Sequence, residues 1–202
     1  MGPEEIETFE RCIAVGGVAL FPADTVYGLA TEPDSREGVD RLYALKGRRP
    51  ERPAAVMFFR LELALAALPE LRGHTLDAVE RLLPGPFTVV LPNPVRRFPL
   101  ACGPEPERLG LRVPHFGGEL APLAGVSWPV LQSSANPSGG SDARRLGDID
   151  ERIRRGVDLQ LDGGELPGTP STVVDLTAYE EDRSYNVLRE GAVSRADLAA
   201  LL

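Results

Sequence analysis

Short apolar runs that end at proline or glycine constrain this fold more than any other feature of the sequence. Val18–Phe21 is one such run and stops at Pro22, and the strand-like segment Phe87–Leu91, interrupted only by Thr88, is introduced by Pro84-Gly85-Pro86. A continuous apolar run of this length is typical of a strand buried on both faces. Amphipathic segments separate many of these runs, and strands that alternate with helices predict an α/β layered fold.

Two of the amphipathic segments carry clear helix signals. Ile6, Phe9 and Ile13 recur at helical spacing before the glycine exit at residues 16–17. Ser35 is placed to cap a second helix, which ends at Lys46-Gly47. Further helices are predicted over residues 61–68, 76–83, 118–125 and 148–155, and after Ser194.

The remaining apolar runs predict strands over residues 54–59, 109–113, 130–133, 159–161, 172–176 and 185–188. The last three follow one another with no helix predicted between them, so antiparallel pairs must join parallel ones. Residues 92–108 hold several prolines without a period and predict a loop. The chain has 202 residues, no internal repeat and no linker, so we expect a single domain over residues 1–202.

Charge and composition narrow the function classes. The formal net charge of −8 argues against broad, non-specific binding of nucleic acid, although a basic cluster at residues 46–52 leaves local RNA contact open. Two cysteines and two histidines, with no CxxC motif, favour neither a disulfide framework nor a structural zinc site. The acidic N-terminal segment lacks a signal-peptide pattern, and no apolar run approaches ~20 residues. We therefore expect a cytoplasmic protein without a membrane association.

Two polar clusters follow predicted elements and are poorly suited to a core. Lys46-Gly47-Arg48 follows a helix, and Ser133–Gly139 follows a strand. Together they offer fixed positive charge and neutral hydrogen-bond donors, which is what a triphosphate needs. Cations that complement a helix C-terminus are the alternative, and this explains Lys46 better than Arg48.

A third candidate is Arg112, which shares one face of a predicted strand with Gly110. A bulky cation on a face otherwise kept small suggests a pocket for a carboxylate, but an edge-strand arginine facing solvent stays open. Asp24 and Thr25 follow the first strand, where they either cap a turn or helix start or approach a ligand. Arg189 is either surface charge or a further phosphate contact.

Familiar catalytic motifs do not account for these clusters. The sequence matches neither GxxxxGK[ST] nor GxGxxG. Ser134 has no evident histidine and acid to complete a hydrolase triad. The pattern therefore indicates an anion site of another kind.

Eight segments, in order, resemble the YrdC/Sua5/YciO family of threonylcarbamoyl-AMP synthases. They are PADTVYGL (22–29), KGR (46–48), PGPFTVVL (84–91), LRVP (111–114), SSANPSG (133–139), DGG (162–164), STVVDL (171–176) and LREG (188–191). The resemblance implies a single YrdC-like domain: a twisted open sheet of mixed parallel and antiparallel strands flanked by helices.

The resemblance also implies a reaction. L-threonine, bicarbonate and ATP would give threonylcarbamoyl-adenylate and pyrophosphate, so the protein would be a nucleotidyltransferase. Mg²⁺ would be held through the ATP phosphates, without a protein metal site. The product would feed the threonylcarbamoyladenosine modification of tRNA, which makes tRNA and tRNA-modification proteins the implied partners.

The same resemblance assigns residues by position. The residues expected to bind ATP are Lys46, Arg48, Ser134, Asn136, Ser141 and Arg189, of which Lys46 and Arg48 form the catalytic pair. The residues expected to bind threonine are Ala23, Tyr27, Arg112 and Ser171. The enzyme would work by positioning and charge stabilisation, so no nucleophilic side chain is required.

Three departures from the family pattern matter: Ala23 and Met57 lie in the amino-acid region and leave the acceptor open, and Arg108 lies close to the nucleotide. Many members have Thr at Ala23, His at Met57, and Thr or Ser at Arg108. The nucleotide half of the site is thus better matched than the amino-acid half. The alternatives are a paralogue with a different amine acceptor, a non-catalytic RNA-binding or ribosome-maturation module, and an enzyme like the carbamoyl-adenylate domain of hydrogenase-maturation carbamoyltransferases.

Overall fold

The computed structural model describes residues 1–49 and 51–202. Within them, nine strands form one sheet. The strands are β1 (Ala19–Pro22), β2 (Tyr27–Thr31), β3 (Ala55–Met57), β4 (Phe87–Pro92), β5 (Arg108–Arg112), β6 (Val130–Ser134), β7 (Leu159–Gln160), β8 (Thr172–Asp175) and β9 (Asn186–Arg189).

Helices connect many of these strands. They are α1 (Pro3–Ala14), α2 (Arg36–Lys46), α3 (Leu61–Ala67), α4 (Gly73–Leu82), α5 (Pro99–Cys102), α6 (Glu151–Gly156), α7 (Tyr179–Asp182) and α8 (Arg195–Leu201). Two stretches of 3-10 helix cover Gly118–Gly125 and Leu146–Asp148.

The sheet is open and mixed, with the order β7-β1-β2-β6-β3-β5-β4-β8-β9. The pairs β1–β7, β3–β5 and β4–β8 are parallel, whereas every other neighbouring pair is antiparallel. The predicted fold class, an α/β sheet of mixed strands flanked by helices, is confirmed.

Local signals placed α2 correctly. The Ser35 hydroxyl accepts a hydrogen bond from the Gly38 N–H at 3.2 Å, as expected of an N-cap. Gly47 ends the helix with a φ of +58°, a left-handed conformation that glycine adopts without strain. Lys46 therefore lies in the last helical turn, and Arg48 follows immediately after it.

Several predicted boundaries were wrong. Residues 27–31 form strand β2 rather than a turn or helix start after Asp24, because the segment is buried throughout and pairs with β1 over residues 27–30 and with β6 over residues 28–31. The predicted loop 92–108 contains α5, and α7 gave no sequence signal. Helix α4 begins at Gly73 rather than at residue 76.

The two faces of the sheet are covered differently. Leu20, Leu29 and Leu111 point to one face, where they pack in the larger apolar cluster with side chains of α2, α4 and α6. Phe21 and Met57 point to the opposite face, under α1 and the first 3-10 helix. Helix α1 and this 3-10 helix cover only part of that face, and the remainder of the face is open.

Candidate active site

A cleft of about 450 Å³ lies on the open part of the sheet. Its floor consists of small side chains, because Ala55 and Val90 flank Gly110 in register on the neighbouring strands. A Cβ added to Gly110 would lie 3.3 Å from the Ala54 carbonyl oxygen and from the Ala55 Cα, so the floor has little room for a side chain. The cleft has the volume of a small-molecule site.

Four arginines line this cleft, and they are Arg48, Arg108, Arg112 and Arg189. Glu105 supplies the carboxylate among the described lining residues. The excess of fixed guanidinium charge suits a ligand that carries phosphate or carboxylate groups.

Arg112 is buried at one end of the cleft beside the segment that follows β1. Its Nη2 donates to Asp24 Oδ1 and, at 2.6 Å, to Thr25 Oγ1. Burial lowers the pKa of Arg112, and the Asp24 carboxylate opposes that effect. Strand β5 lies between β3 and β4, so the alternative of an edge-strand arginine facing solvent is wrong. Asp24 is an ion-pair partner rather than a helix cap.

Ser171 and Arg189 meet beside Arg112. Arg189 Nη2 donates to the Ser171 carbonyl oxygen at 2.7 Å and to its Oγ at 3.3 Å. The Ser171 hydroxyl also lies 2.8 Å from Thr88 Oγ1. Burial lowers the pKa of Arg189, and the Asp142 carboxylate opposes the shift. The structure therefore brings three of the sequence-predicted residues, Arg112, Ser171 and Arg189, into one cleft.

Arg48 reaches the same cleft from the end of α2. Its Nη2 donates to the Pro53 carbonyl oxygen, and its guanidinium carbon lies 5.7 Å from the centre of the Tyr43 ring. Its Nε is buried and has no hydrogen-bond partner among the described residues. This position explains why a helix-dipole interpretation does not suit Arg48.

Lys46 lies beside the cleft rather than on its lining. Its side chain is buried, and Nζ donates to the Ser134 carbonyl oxygen, to the Asn136 carbonyl oxygen at 2.7 Å and to Asn136 Oδ1 at 3.1 Å. Burial, and secondarily the Arg48 charge, lowers the pKa of Lys46 to about 8. The two clusters predicted to meet, KGR and SSANPSG, are thus joined directly.

The other residues predicted to bind ATP are divided between the cleft and the adjoining loop. Ser134 lines the cleft. Asn136 is buried in the loop and accepts a hydrogen bond from Ser134 Oγ at 2.5 Å. Ser141 is exposed further along the loop and does not line the cleft. Their contacts with a nucleotide stay predictions.

Ala23 and Tyr27, which were expected to bind threonine, do not line this cleft, and their contacts with threonine stay predictions. Ala23 is fully buried with Met57 in the smaller apolar cluster. Tyr27 points to the opposite face of the sheet, because strand residues alternate between faces. Its hydroxyl donates to Asp162 Oδ1 or the Gly164 carbonyl oxygen, at 3.0 and 2.9 Å. Burial raises the pKa of Tyr27 to about 12.

Arg108 and Glu105 line the cleft but were given no binding role from the sequence, although the resemblance placed Arg108 close to the nucleotide. Arg108 donates to Glu105 at 3.1 Å and to Asp175 at 2.6 Å. The two-residue period of β5 could have found Arg108, since it shares a face with Gly110 and Arg112. Glu105 gave no signal, because it comes from the loop before that strand.

Among residues 1–49 and 51–202, no group of three or more His, Cys, Asp or Glu side chains is arranged to hold a metal ion. No helix of that part of the chain is long and apolar enough to cross a membrane.

Residues 11–191 match the family model described as "Telomere recombination", which covers the Sua5, YciO and YrdC proteins. A threonylcarbamoyl-AMP synthase of Hahella chejuensis is 31% identical over 163 residues, which are 79% of this chain and 87% of the relative.

A second relative is longer than this chain. The threonylcarbamoyl-AMP synthase of Pyrococcus abyssi is 29% identical over 185 residues, covering 87% of this chain and 53% of the relative. The solved structure of P. abyssi Sua5 complexed with L-threonine superposes with a TM-score of 0.82 at 27% identity. The match covers 98% of this chain and 57% of that one.

Proposed function

Because the chain belongs to the Sua5/YciO/YrdC family, we propose that it is an ATP-dependent L-threonylcarbamoyladenylate synthase. The observation that supports this most directly is the convergence of four arginines on one cleft beside the Ser134–Asn136 loop. In this proposal the enzyme is a nucleotidyltransferase that consumes L-threonine, bicarbonate and ATP.

The proposed chemistry forms one bond at phosphorus. The threonine amine first takes up the bicarbonate carbon as a carbamate, with loss of water. A carbamate oxygen then attacks the α-phosphorus of ATP, and the bond from that phosphorus to the bridging oxygen of the β-phosphate breaks. Pyrophosphate leaves with the electron pair of that bond, and threonylcarbamoyl-AMP remains.

The residues of this chain would contribute position and charge. Arg48 would face the phosphates, while Arg112 and Ser171 at the other end would hold the amino-acid carboxylate. Arg189 lies between a phosphate and that carboxylate in the proposed pose. Fixed guanidinium groups cost little reorganisation when negative charge develops, which is how such sites lower a barrier.

We propose that Mg²⁺ enters with the ATP phosphates. The donor set fits this arrangement, because the cleft carboxylate Glu105 already pairs with Arg108 at 3.1 Å. Bound in this way, the ion would add charge neutralisation at the phosphate oxygens.

The proposed product determines the proposed partners. Threonylcarbamoyl-AMP serves the N6-threonylcarbamoyladenosine modification, so tRNA and the proteins that modify it are the expected downstream partners. The compartment that we propose is therefore the cytoplasm.

A different amine acceptor is the second candidate. Ala23 and Met57 are fully buried in an apolar cluster, where neither offers a hydrogen bond to a threonine hydroxyl. An acceptor without that hydroxyl would lose less binding free energy at such a site, because it has no hydrogen bond to leave unmade.

Pyrophosphate release tests the proposal and separates the candidates. The assay contains ATP, Mg²⁺ and bicarbonate with threonine, serine, valine or alanine, and mass spectrometry identifies the adenylate. Arg48→Met should reduce turnover by at least about 100-fold, since one transition-state contact is worth this much. Arg96→Met, which removes an exposed pair with Glu107, is the control. Salt-sensitive tRNA binding without any pyrophosphate release would instead favour the RNA-binding module.

A further inference from the structure

We propose that Lys46 is a positioning residue. Its hydrogen bonds, here called the brace, hold the 134–140 loop so that main-chain N–H groups and Arg48 face the anion. The identity of that anion as ATP phosphate rests on the proposed function. The brace itself does not, because it is formed within the ligand-free protein.

Lys46 has no donor left for a ligand. A lysine ammonium carries three N–H donors. They are matched by three acceptors, namely the Ser134 carbonyl oxygen, the Asn136 carbonyl oxygen and Asn136 Oδ1. The residue is only 3% exposed, so the ammonium is held among these oxygens and away from solvent.

The loop is tied to α2 in the other direction as well. The Ser138 N–H donates to the Lys46 carbonyl oxygen at 2.8 Å. Asn136 Nδ2 donates to the Gly140 carbonyl oxygen, which closes the loop on itself. Because the same residue gives its side chain and its carbonyl to the loop, Lys46 fixes both the position and the curvature of residues 134–140.

The cation at the centre of the brace is a lysine, in a chain that otherwise uses arginine. Lys46 is the only lysine in the 202-residue chain, whose other cationic side chains are all arginines or histidines. A compact ammonium can direct three bonds to converging carbonyl oxygens, whereas a planar guanidinium cannot. This accounts for a lysine here in a chain that otherwise uses arginine.

The main chain of the loop then offers the remaining donors. The N–H groups of Asn136, Gly139 and Ser141 donate to no described residue, and Gly139 adopts a φ of +84°. Main-chain N–H groups that a turn directs to one side can line an anion-binding concavity. Burial lowers the pKa of Arg112 and of Arg189, and the Asp142 carboxylate opposes both shifts, so the end of the loop lies beside the cleft arginines.

Hydrogen exchange of the ligand-free protein tests the brace. Lys46→Met keeps most of the side-chain length and removes the three donors. We expect amide exchange in peptides spanning residues 133–141 to become at least tenfold faster than in the wild type. Arg48→Met is the matched control and should leave exchange in those peptides unchanged, since Arg48 bonds to Pro53 outside the loop. Unchanged protection in Lys46→Met would overturn the proposal.

A measurement on the wild-type protein covers the case in which Lys46→Met does not fold. ¹⁵N-lysine labelling gives a single side-chain resonance. A brace predicts a slowly exchanging ammonium signal at pH 6 without ligand, and a signal with the fast exchange of free lysine would overturn it. Neither measurement needs turnover. Absence of synthase activity together with a protected ammonium would therefore remove the proposed function and leave the brace standing.

Discussion

Arg112 and Asp24 form a buried ion pair across 88 residues of sequence, and their side chains are only 4% and 8% exposed. The pair joins the end of β5 to the segment that follows β1. It also means that the arginine expected to hold a ligand carboxylate already has a carboxylate partner in the protein. Arg112 Nε remains buried without a partner among the described residues. A ligand would thus meet a guanidinium whose orientation is already fixed.

Asp24→Asn should destabilise the protein strongly. It leaves the Arg112 cation buried without a counter-charge, which typically costs about 3–5 kcal/mol. Urea denaturation at pH 7 measures the free energy of unfolding. Glu107→Gln breaks the exposed Arg96–Glu107 pair and is the control, with an expected cost of about 0–1 kcal/mol. Equal losses in the two variants would contradict a special role for the buried pair.

Tyr27→Phe should change stability and not the affinity for the amino acid. The substitution removes the hydroxyl that bonds to Asp162 and Gly164 and that accepts the Gly163 N–H at 3.0 Å. Because Asp162 and Gly164 are exposed and Gly163 is half-buried, water can replace the hydroxyl, and the loss should be about 0.5–1.5 kcal/mol. Denaturation and the KM for threonine are measured together, with Tyr185→Phe as control. A tenfold rise in KM at unchanged stability would return Tyr27 to the acceptor site.

Local sequence signals were sufficient where residues close together in the sequence determine the structure. Ser35 and Gly47 bound α2 by hydrogen bonding and backbone conformation within a few residues, so Lys46 and Arg48 could be placed at its end. The fold class followed similarly from the order of apolar and amphipathic runs.

Long-range pairing explains what the sequence did not reveal. The Asp24–Arg112 pair and the Arg108–Asp175 pair span 88 and 67 residues, and neither has a local signature. Strand β2 was missed because Tyr27–Thr31 depends on partners on both sides. The face of the sheet to which Tyr27 points could therefore not be predicted, since it is known only once a strand is recognised.

Gly110→Val should abolish ligand binding while much of the fold is retained. The new Cβ would lie in contact with Ala54 and Ala55 at the cleft floor, and its methyl groups would rise into the cleft. Overpacking of this kind costs about 1–3 kcal/mol in stability. Calorimetry with ATP, beside circular dichroism of the variant, checks both expectations. Val90→Ala enlarges the same floor and is the control, which should still bind ATP. Wild-type affinity in Gly110→Val would show that the ligand lies elsewhere.

Deprotonation of Lys46 should lower the affinity for ATP above about pH 8. The free energy of unfolding should increase over the same pH range. The pKa of Lys46 is lowered from 10.5 to about 8 in the folded protein, so the ammonium that braces the loop is lost above that pH. Affinity should weaken by up to about tenfold per pH unit. Between about pH 8 and 10.5 the unfolded chain binds more protons at this site than the folded one, so the free energy of unfolding increases with pH by up to about 1.4 kcal/mol per unit.

The opposite pH dependences of ATP affinity and of the free energy of unfolding distinguish loss of the brace from loss of the fold. Calorimetric titration with ATP and urea denaturation are performed over the same pH series, and Lys46→Met should abolish both slopes. ATP affinity in the wild type that stays constant from pH 7 to pH 10 would show that the Lys46 charge does not support the anion site.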